Sequence, residues 1–234
     1  YLDSEYFIID TEGSLTLVKG EINKLNIKSN FENNKKLTMT INTTPSEKIT
    51  TLYSSNATPF VKRYKFIKGF QDGSLDFSST KKNNITTAQL KIYDFKLLEL
   101  PALTKLLSLA SLQGIADILT GEGIRFDDFE MSYEKNQQLI SFSEIYAIGP
   151  AISILMNGYV DSDKIVSLRG TLVPATTINK AIGSIPILGK ILVGNKTGEG
   201  VFGVSFKIKG PPKNLRTTVN PIKTLTPRFI TRTL

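Results

Sequence analysis

Residues 73–92, with the sequence GSLDFSSTKKNNITTAQLKI, decide the fold class of this chain. Apolar residues alternate with polar ones on both sides of an Asn pair: Leu75 and Phe77 before Asn83-Asn84, and Leu90 and Ile92 after it. A period of two is typical of a strand that has one apolar face and one face toward water. Because Asn and Gly favour tight turns, the stretch predicts an antiparallel hairpin.

The same alternation recurs toward both ends of the chain. It includes Leu15/Leu17, Leu25/Ile27, Leu37/Met39/Ile41, Ile124/Phe126 and Val204/Phe206/Ile208. Turn-forming residues separate these segments: Glu12-Gly13, Asn33-Asn34, Asp72-Gly73, Asn136 and Asp161-Ser162-Asp163. Strands joined by short connections pair antiparallel. The sequence therefore predicts a mainly β protein built as one curled antiparallel meander.

Three segments break the alternation and predict short apolar helices. They are Ala57–Phe66, Pro101–Thr120 and the Gly- and Pro-interrupted stretch Thr176–Val193. Three short helices are too few to cover the apolar face of about ten strands of ~20 Å each. We therefore expect part of that face to remain as a groove for acyl chains. Its candidate lining residues are Leu75, Phe77, Leu90, Ile92, Ile124, Phe126, Val204 and Phe206.

Positive charge is concentrated in the last third of the chain. The 234 residues carry 29 Lys and Arg against 21 Asp and Glu, for a net charge of +8. Residues 164–234 hold 12 of the bases and a single acid, Glu199. Simple solvation of these charges is one interpretation, and contact with anionic lipid headgroups at a membrane surface is the other. The headgroup candidates are Lys207, Lys209, Lys213, Arg216, Lys223, Arg228 and Arg232.

Nucleic acid is not an expected partner, because no helix-turn-helix, zinc or RNP pattern accompanies the basic residues. Lys190 and Lys196 follow glycines, but neither segment has the spacing of a phosphate-binding loop.

The residue types argue against an enzyme. The chain has no Cys and no His, which excludes thiol nucleophiles, Cys-ligated metal and the usual proton shuttle. The densest acidic cluster is Asp127, Asp128 and Glu130, and neighbours along a strand point to opposite faces. A solvated strand face is therefore the favoured interpretation of this cluster. A Ser–Lys or two-carboxylate enzyme stays open, but nothing indicates one, and we expect no cofactor and no metal.

Ordered short motifs resemble the AsmA-like family, and within it the YhdP-type C-terminal region. The segment from Leu100 to Ile115, LPALTKLLSLASLQGI, resembles the family pattern AP-x-x-x-x-LLS-x-x-S-x-x-G. Further matching pieces are Pro59–Phe66, Gly73–Phe77, Gly121–Phe126, Leu168–Pro174, Ile178-Asn179, Ile185–Gly189, Gly198–Gly203 and Val219–Pro221. Asp72 departs from the pattern, since the family often has a second Gly there.

The resemblance implies a bridge-like lipid transport protein of the bacterial envelope. It implies that residues 56–234 form an AsmA-like C-terminal region and that residues 1–55 are preceding strands of the same elongated sheet. The chain would then be a periplasmic portion of a protein anchored in the inner membrane, with phospholipid as its ligand and a membrane surface as its partner. The longest charge-free run, Ile145–Val160, is too short for a spanning helix, so we expect the anchor outside these residues.

A second hypothesis keeps the apolar face fully covered. In it the chain is a scaffold or docking module that binds an outer-membrane or other envelope protein through a sheet edge or the basic tail, residues 220–234.

Overall fold

The computed structural model describes residues 6–32, 34–63, 68–99, 101–109, 121–174, 201–212 and 214–225. These residues form a sheet and two short helices, α1 (Thr58–Val61) and α2 (Pro101–Leu109). The strands are β1 (Ile8–Val18), β2 (Glu21–Phe31), β3 (Lys36–Thr43), β4 (Glu47–Ser54), β5 (Lys68–Lys82), β6 (Ile85–Glu99), β7 (Ile124–Lys135), β8 (Ile140–Ile148), β9 (Ile152–Val160), β10 (Val166–Pro174), β11 (Val201–Gly210) and β12 (Arg216–Leu225).

Every strand pairs antiparallel with its neighbours in the chain. The order across the sheet is β1 to β12 without a crossover, so β1 and β12 are its two edges. This confirms the predicted mainly β antiparallel meander. The central hairpin pairs Leu75 with Ile92 and Phe77 with Leu90, in the register expected from the alternation.

Polar turn residues close the hairpins by two mechanisms. Lys19 and Gly20 both have positive φ, at 52° and 80°, as a two-residue type I′ turn requires. Asn136 and Asp161 instead accept backbone N–H groups on their side-chain oxygens, from residues 138 and 139 and from residues 163 and 165 respectively. The turns predicted at Asn83-Asn84, Asn136 and Asp161–Asp163 are therefore confirmed.

Two predicted turns are wrong. Gly13 lies inside β1, opposite Ile27, and Asp72-Gly73 lies inside β5. Asp72 and Gly73 have φ of 63° and 81°, and Asp94 on the facing strand has φ of 52°. Irregular residues on two adjacent strands bend both together, so the chain kinks here and continues the ladder.

The kink changes which positions face the core. On β7, Phe126 and Phe129 are three residues apart, yet both contact the same apolar core. Their partners across the register are Phe95 and Ile92, which are also three apart. The period of two therefore resets at the kink, and apolar side chains meet the core on both sides of it.

The two helices lie over the core face of the sheet. α1 packs against β5, where Ala57 N–H donates to the Gly73 carbonyl oxygen at 2.8 Å. α2 begins at Pro101, as predicted, and packs against β12. Its residues Leu103, Leu106 and Leu107 are buried in the same cluster as Phe126 and Phe206. Residues 64–66, 110–120 and 176–193 of the predicted helices lie outside the described residues.

Candidate functional site

A row of cross-strand partners runs over the core face from β2 to β12, and each member lies directly opposite the next. All members are apolar side chains except one glycine. We call this set the apolar row: Ile27, Met39, Leu52, Phe77, Leu90, Met131, Ile145, Met156, Gly170, Phe206 and Val219. Partners in such a row have Cβ atoms about 5 Å apart, so neighbouring side chains touch.

The apolar row is only partly covered. Ile145 and Phe206 are buried, with 6% and 3% of their surface exposed. The other nine members are half-buried. A half-buried apolar side chain leaves part of its hydrocarbon surface in contact with water, which costs free energy in proportion to that area.

All eight apolar residues predicted from the sequence lie on the core face. Phe77, Leu90 and Phe206 belong to the apolar row itself. Leu75, Ile92 and Val204 belong to the adjacent row on the helix side and are buried. Ile124 and Phe126 lie under the helices, at 1% exposure each, and Phe126 stacks on Phe95 with ring centroids 5.3 Å apart. Six of the eight are thus buried in the core, and two are half-buried.

Sequence reasoning missed several members of the apolar row. Met131 was missed because the kink at Asp94 resets the alternation on β7. Leu52 was missed because its segment, Glu47–Ser54, carries polar residues at most positions. Met156 lies in an almost uniformly apolar strand, where alternation gives no signal for either face.

The opposite face of the sheet, which we call the outer face, carries a polar network centred on Glu130. Oε2 of Glu130 accepts a 2.6 Å hydrogen bond from the Tyr146 hydroxyl and pairs with the Lys91 ammonium at 3.2 Å. Gln89 donates a further hydrogen bond to Oε1. The network links three strands, because Lys91 on β6 lies directly opposite Glu130 on β7, and Glu130 lies directly opposite Tyr146 on β8.

These contacts shift the pKa values of the groups involved. Burial raises the pKa of Glu130, but the hydrogen bonds from Tyr146 and Lys91 outweigh burial and hold that pKa below its ordinary value. The hydrogen bond to Glu130 raises the pKa of Lys91. Burial, followed by the hydrogen bond to Glu130, raises the pKa of Tyr146. The arrangement stabilises one charged state and provides no group with a pKa near neutral pH, so it serves as a structural link.

The basic candidates that can be placed lie on the outer face. Lys207 and Lys209 alternate with Phe206 and Ile208, so they point away from the core, and both are exposed. Arg216 is exposed directly opposite Lys209. Lys223 belongs to β12, whereas Lys213, Arg228 and Arg232 lie outside the described residues. Lys207, Lys209 and Arg216 are therefore separated from the apolar candidates by the thickness of the sheet.

The described part of the chain lacks two further features. It contains no group of three or more Asp and Glu side chains arranged to hold a metal ion. It also contains no helix long and apolar enough to cross a membrane.

Comparisons with protein-family models, with curated proteins and with solved structures find no match to this chain. The AsmA-like resemblance accordingly stays a prediction from the residues quoted above.

Proposed function

We propose that this chain is a non-enzymatic phospholipid-binding segment that holds acyl chains along the apolar row, in a groove on the core face. The observation that carries the proposal is the continuity of that row over eleven strands, with eight of its apolar side chains half-buried. Water-exposed hydrocarbon of this extent is stabilised when an apolar ligand covers it.

The dimensions of the row suit a lipid. Ten steps between strands, at about 4.8 Å each, give a path of ~48 Å. One leaflet of a bilayer has a hydrocarbon thickness of about 15 Å, half of the ~30 Å core. The row is therefore longer than a single acyl chain, which suits passage from one position to the next better than a closed, single-ligand pocket.

The position of α2 supports a sheet that is curled rather than flat. In a flat sheet, β6 and β12 would lie six strand spacings apart, or ~29 Å. α2 follows β6 directly, and its nine residues span only ~14 Å. Because α2 packs against β12, bending of the sheet toward the helix side accounts best for that contact. Such a bend makes the core face concave, as a groove requires.

The wider role follows from the resemblance. In the AsmA-like interpretation this chain is a periplasmic part of a bridge that is anchored in the inner membrane and carries phospholipid toward the outer membrane. The absence of Cys and His from the sequence agrees with a function that needs no catalytic nucleophile or proton shuttle.

The direct test is lipid content. The chain is purified without detergent, extracted with organic solvent, and examined by native and lipid mass spectrometry. We expect co-purified phospholipid at one or more molecules per chain. A well-folded protein that is empty, and that also fails to take up a fluorescent phospholipid from vesicles, would overturn the proposal.

The docking hypothesis has its own support at the sheet edge. β1 is an edge strand, and its Leu15 and Leu17 are 56% and 55% exposed. An exposed apolar edge can accept a further strand from a partner protein. Replacement of Thr16 by Lys, which places a charge on this edge, should hinder strand addition and leave the lipid content unchanged, so the two functions can be distinguished.

A further inference from the structure

Four cations form a compact array on the outer face of β10, β11 and β12. Arg169 lies directly opposite Lys207, and Lys209 lies directly opposite Arg216. Lys207 and Lys209 are two residues apart on one strand, so they share a face and lie ~7 Å from each other. All four side chains are exposed. We call this set the basic face.

The basic face lacks compensating charge. Strands β9 to β12 contain five Lys and Arg residues and no Asp or Glu. Within the described part of the chain, Lys207, Lys209 and Arg216 have no ion-pair partner. The nearest acids along these strands are Asp161 and Asp163 in the β9–β10 turn, where Lys164 also lies. Like charges directly opposite each other destabilise a sheet, so an external anion would relieve the repulsion.

The side chains of the basic face are held outward by the strand register. Arg169 Nε donates a 2.9 Å hydrogen bond to Oδ1 of Asn157 on β9, which restrains the Arg169 side chain. Tyr159, which is 42% exposed, lies on the same face in the row of Lys209 and Ser167. Tyrosine beside Lys and Arg is typical of the water–lipid boundary of membrane proteins, because its ring is apolar and its hydroxyl is polar.

We propose that the basic face docks this end of the sheet onto the surface of an anionic phospholipid bilayer. The surface is separate from acyl-chain binding, since Phe206 and Ile208 on the same strand point to the opposite side. The basic face therefore contacts the headgroups of a membrane rather than the headgroup of a lipid held on the apolar row. Its four cations are spread over roughly 10 by 7 Å of the sheet surface, which matches a two-dimensional array of anions.

The array suits a bilayer better than a nucleic acid. Proteins that bind single strands combine cations with several aromatic platforms for the bases, whereas Tyr159 is the one exposed aromatic side chain among the described residues of β9 to β12. Proteins that read duplexes insert a helix or a two-stranded ribbon into a groove, whereas the basic face lies across three paired strands of a larger sheet.

Vesicle co-sedimentation with the whole chain tests the proposal. The variant Lys207→Gln/Lys209→Gln is compared with Lys24→Gln/Lys28→Gln, which removes the same charge from exposed positions on the same face at the other end of the sheet. Vesicles of phosphatidylcholine with and without 30% phosphatidylglycerol serve as probes, over a series of salt concentrations. Since the loss of each cation should weaken binding about fivefold, the first variant should bind anionic vesicles about twenty-five-fold more weakly at low salt, and the control should bind like the parent.

Parent binding should disappear as the salt concentration rises, because added ions screen the exposed charges. Equal losses in the two variants, or equal binding to neutral vesicles, would overturn the proposal. So would tighter binding to duplex DNA than to anionic vesicles at the same salt concentration. Bound phospholipid, measured by mass spectrometry, should stay unchanged in both variants. If the parent and both variants lack bound phospholipid but the parent still binds anionic vesicles, the acyl-chain function is refuted and the role of the basic face is retained.

Discussion

The hydroxyl of Tyr146 on β8 donates a 2.6 Å hydrogen bond to the carboxylate of Glu130 on β7, which also holds the Lys91 ammonium of β6. One carboxylate thus ties three strands together on the face that carries no helix in the described part of the chain. Hydrogen bonds to a charged acceptor contribute more to stability than bonds between neutral groups.

Replacement of Tyr146 by Phe tests this link. The change removes one charge-assisted hydrogen bond and keeps the ring, so we expect a loss of about 1–2 kcal/mol in the free energy of unfolding, measured with urea. Tyr159→Phe is the matched control, since the side chain of Tyr159 is exposed on β9. Equal effects of the two substitutions would show that the Tyr146 hydroxyl adds nothing.

Asp128 provides a prediction about pH. Burial, followed by the negative charges of Asp127, Asp94 and Glu130, raises the pKa of Asp128. The folded protein therefore holds this proton more tightly than the unfolded chain does, and the ionised carboxylate destabilises the fold at neutral pH. We expect Asp128→Asn to stabilise the protein at pH 7 by about 0.5–1 kcal/mol, the usual size of such charge interactions on a sheet.

The gain from Asp128→Asn should disappear as the pH falls. Below the ordinary carboxyl pKa of 3.8, Asp128 is neutral in both the folded and the unfolded state, so parent and variant should unfold at the same urea concentration. Asp163→Asn, in the exposed β9–β10 turn, is the matched control at pH 7. A gain that persists at pH 3 would mean that the charge of Asp128 is not its source.

The kink at Gly73 predicts an unequal cost for two similar substitutions. Gly73 and Gly20 have nearly equal φ, at 81° and 80°. A Cβ atom at Gly73 would lie 3.0 Å from Cβ of Phe95, whereas a Cβ atom at Gly20 would have nothing within 4 Å. Both Ala variants lose about 1 kcal/mol for backbone conformation. We expect Gly73→Ala to lose about 1–2 kcal/mol more, by thermal or urea unfolding.

Lipid retention should depend on the face of the sheet. Met39 and Leu52 are paired members of the apolar row, and Thr40 and Thr51 are an exposed pair one position along the same two strands. Met39→Gln/Leu52→Gln should reduce co-purified phospholipid several-fold, because the amides replace hydrocarbon contacts with the acyl chains. Thr40→Gln/Thr51→Gln should retain the parent's lipid content. Circular dichroism confirms that both variants are folded, and equal retention would argue against the apolar row as the lipid site.

The alternation of apolar and polar residues, together with the short connections, was sufficient to predict an antiparallel meander, although β4 and β9 do not show the alternation. It could not predict the kink, because Asp72-Gly73 has the composition of a turn and only the ladder with Asp94 keeps the strand running. The positions facing the core on β7 follow from that kink, so Met131 could not be assigned to a face from its own strand.

The degree of burial of each apolar side chain also could not be predicted from the sequence. Phe126 and Phe77 read alike as alternating apolar residues, but α2 contributes its leucines to the cluster around Phe126, while Phe77 stays half-buried. That difference arises from contacts between elements far apart in the chain. For the same reason, Arg169 joins Lys207 only through the register of β10 with β11.

Each strand of this sheet pairs only with strands that are adjacent to it in chain order. This order of pairing allows the sheet to form one hairpin after another during synthesis, because each strand pairs with a strand that is next to it in chain order. It also means that two strands can be inserted or deleted together while the pairing of the remaining strands stays the same, much as repeat proteins change length. The span of the molecule is then a heritable variable that selection can adjust in steps of about one nanometre.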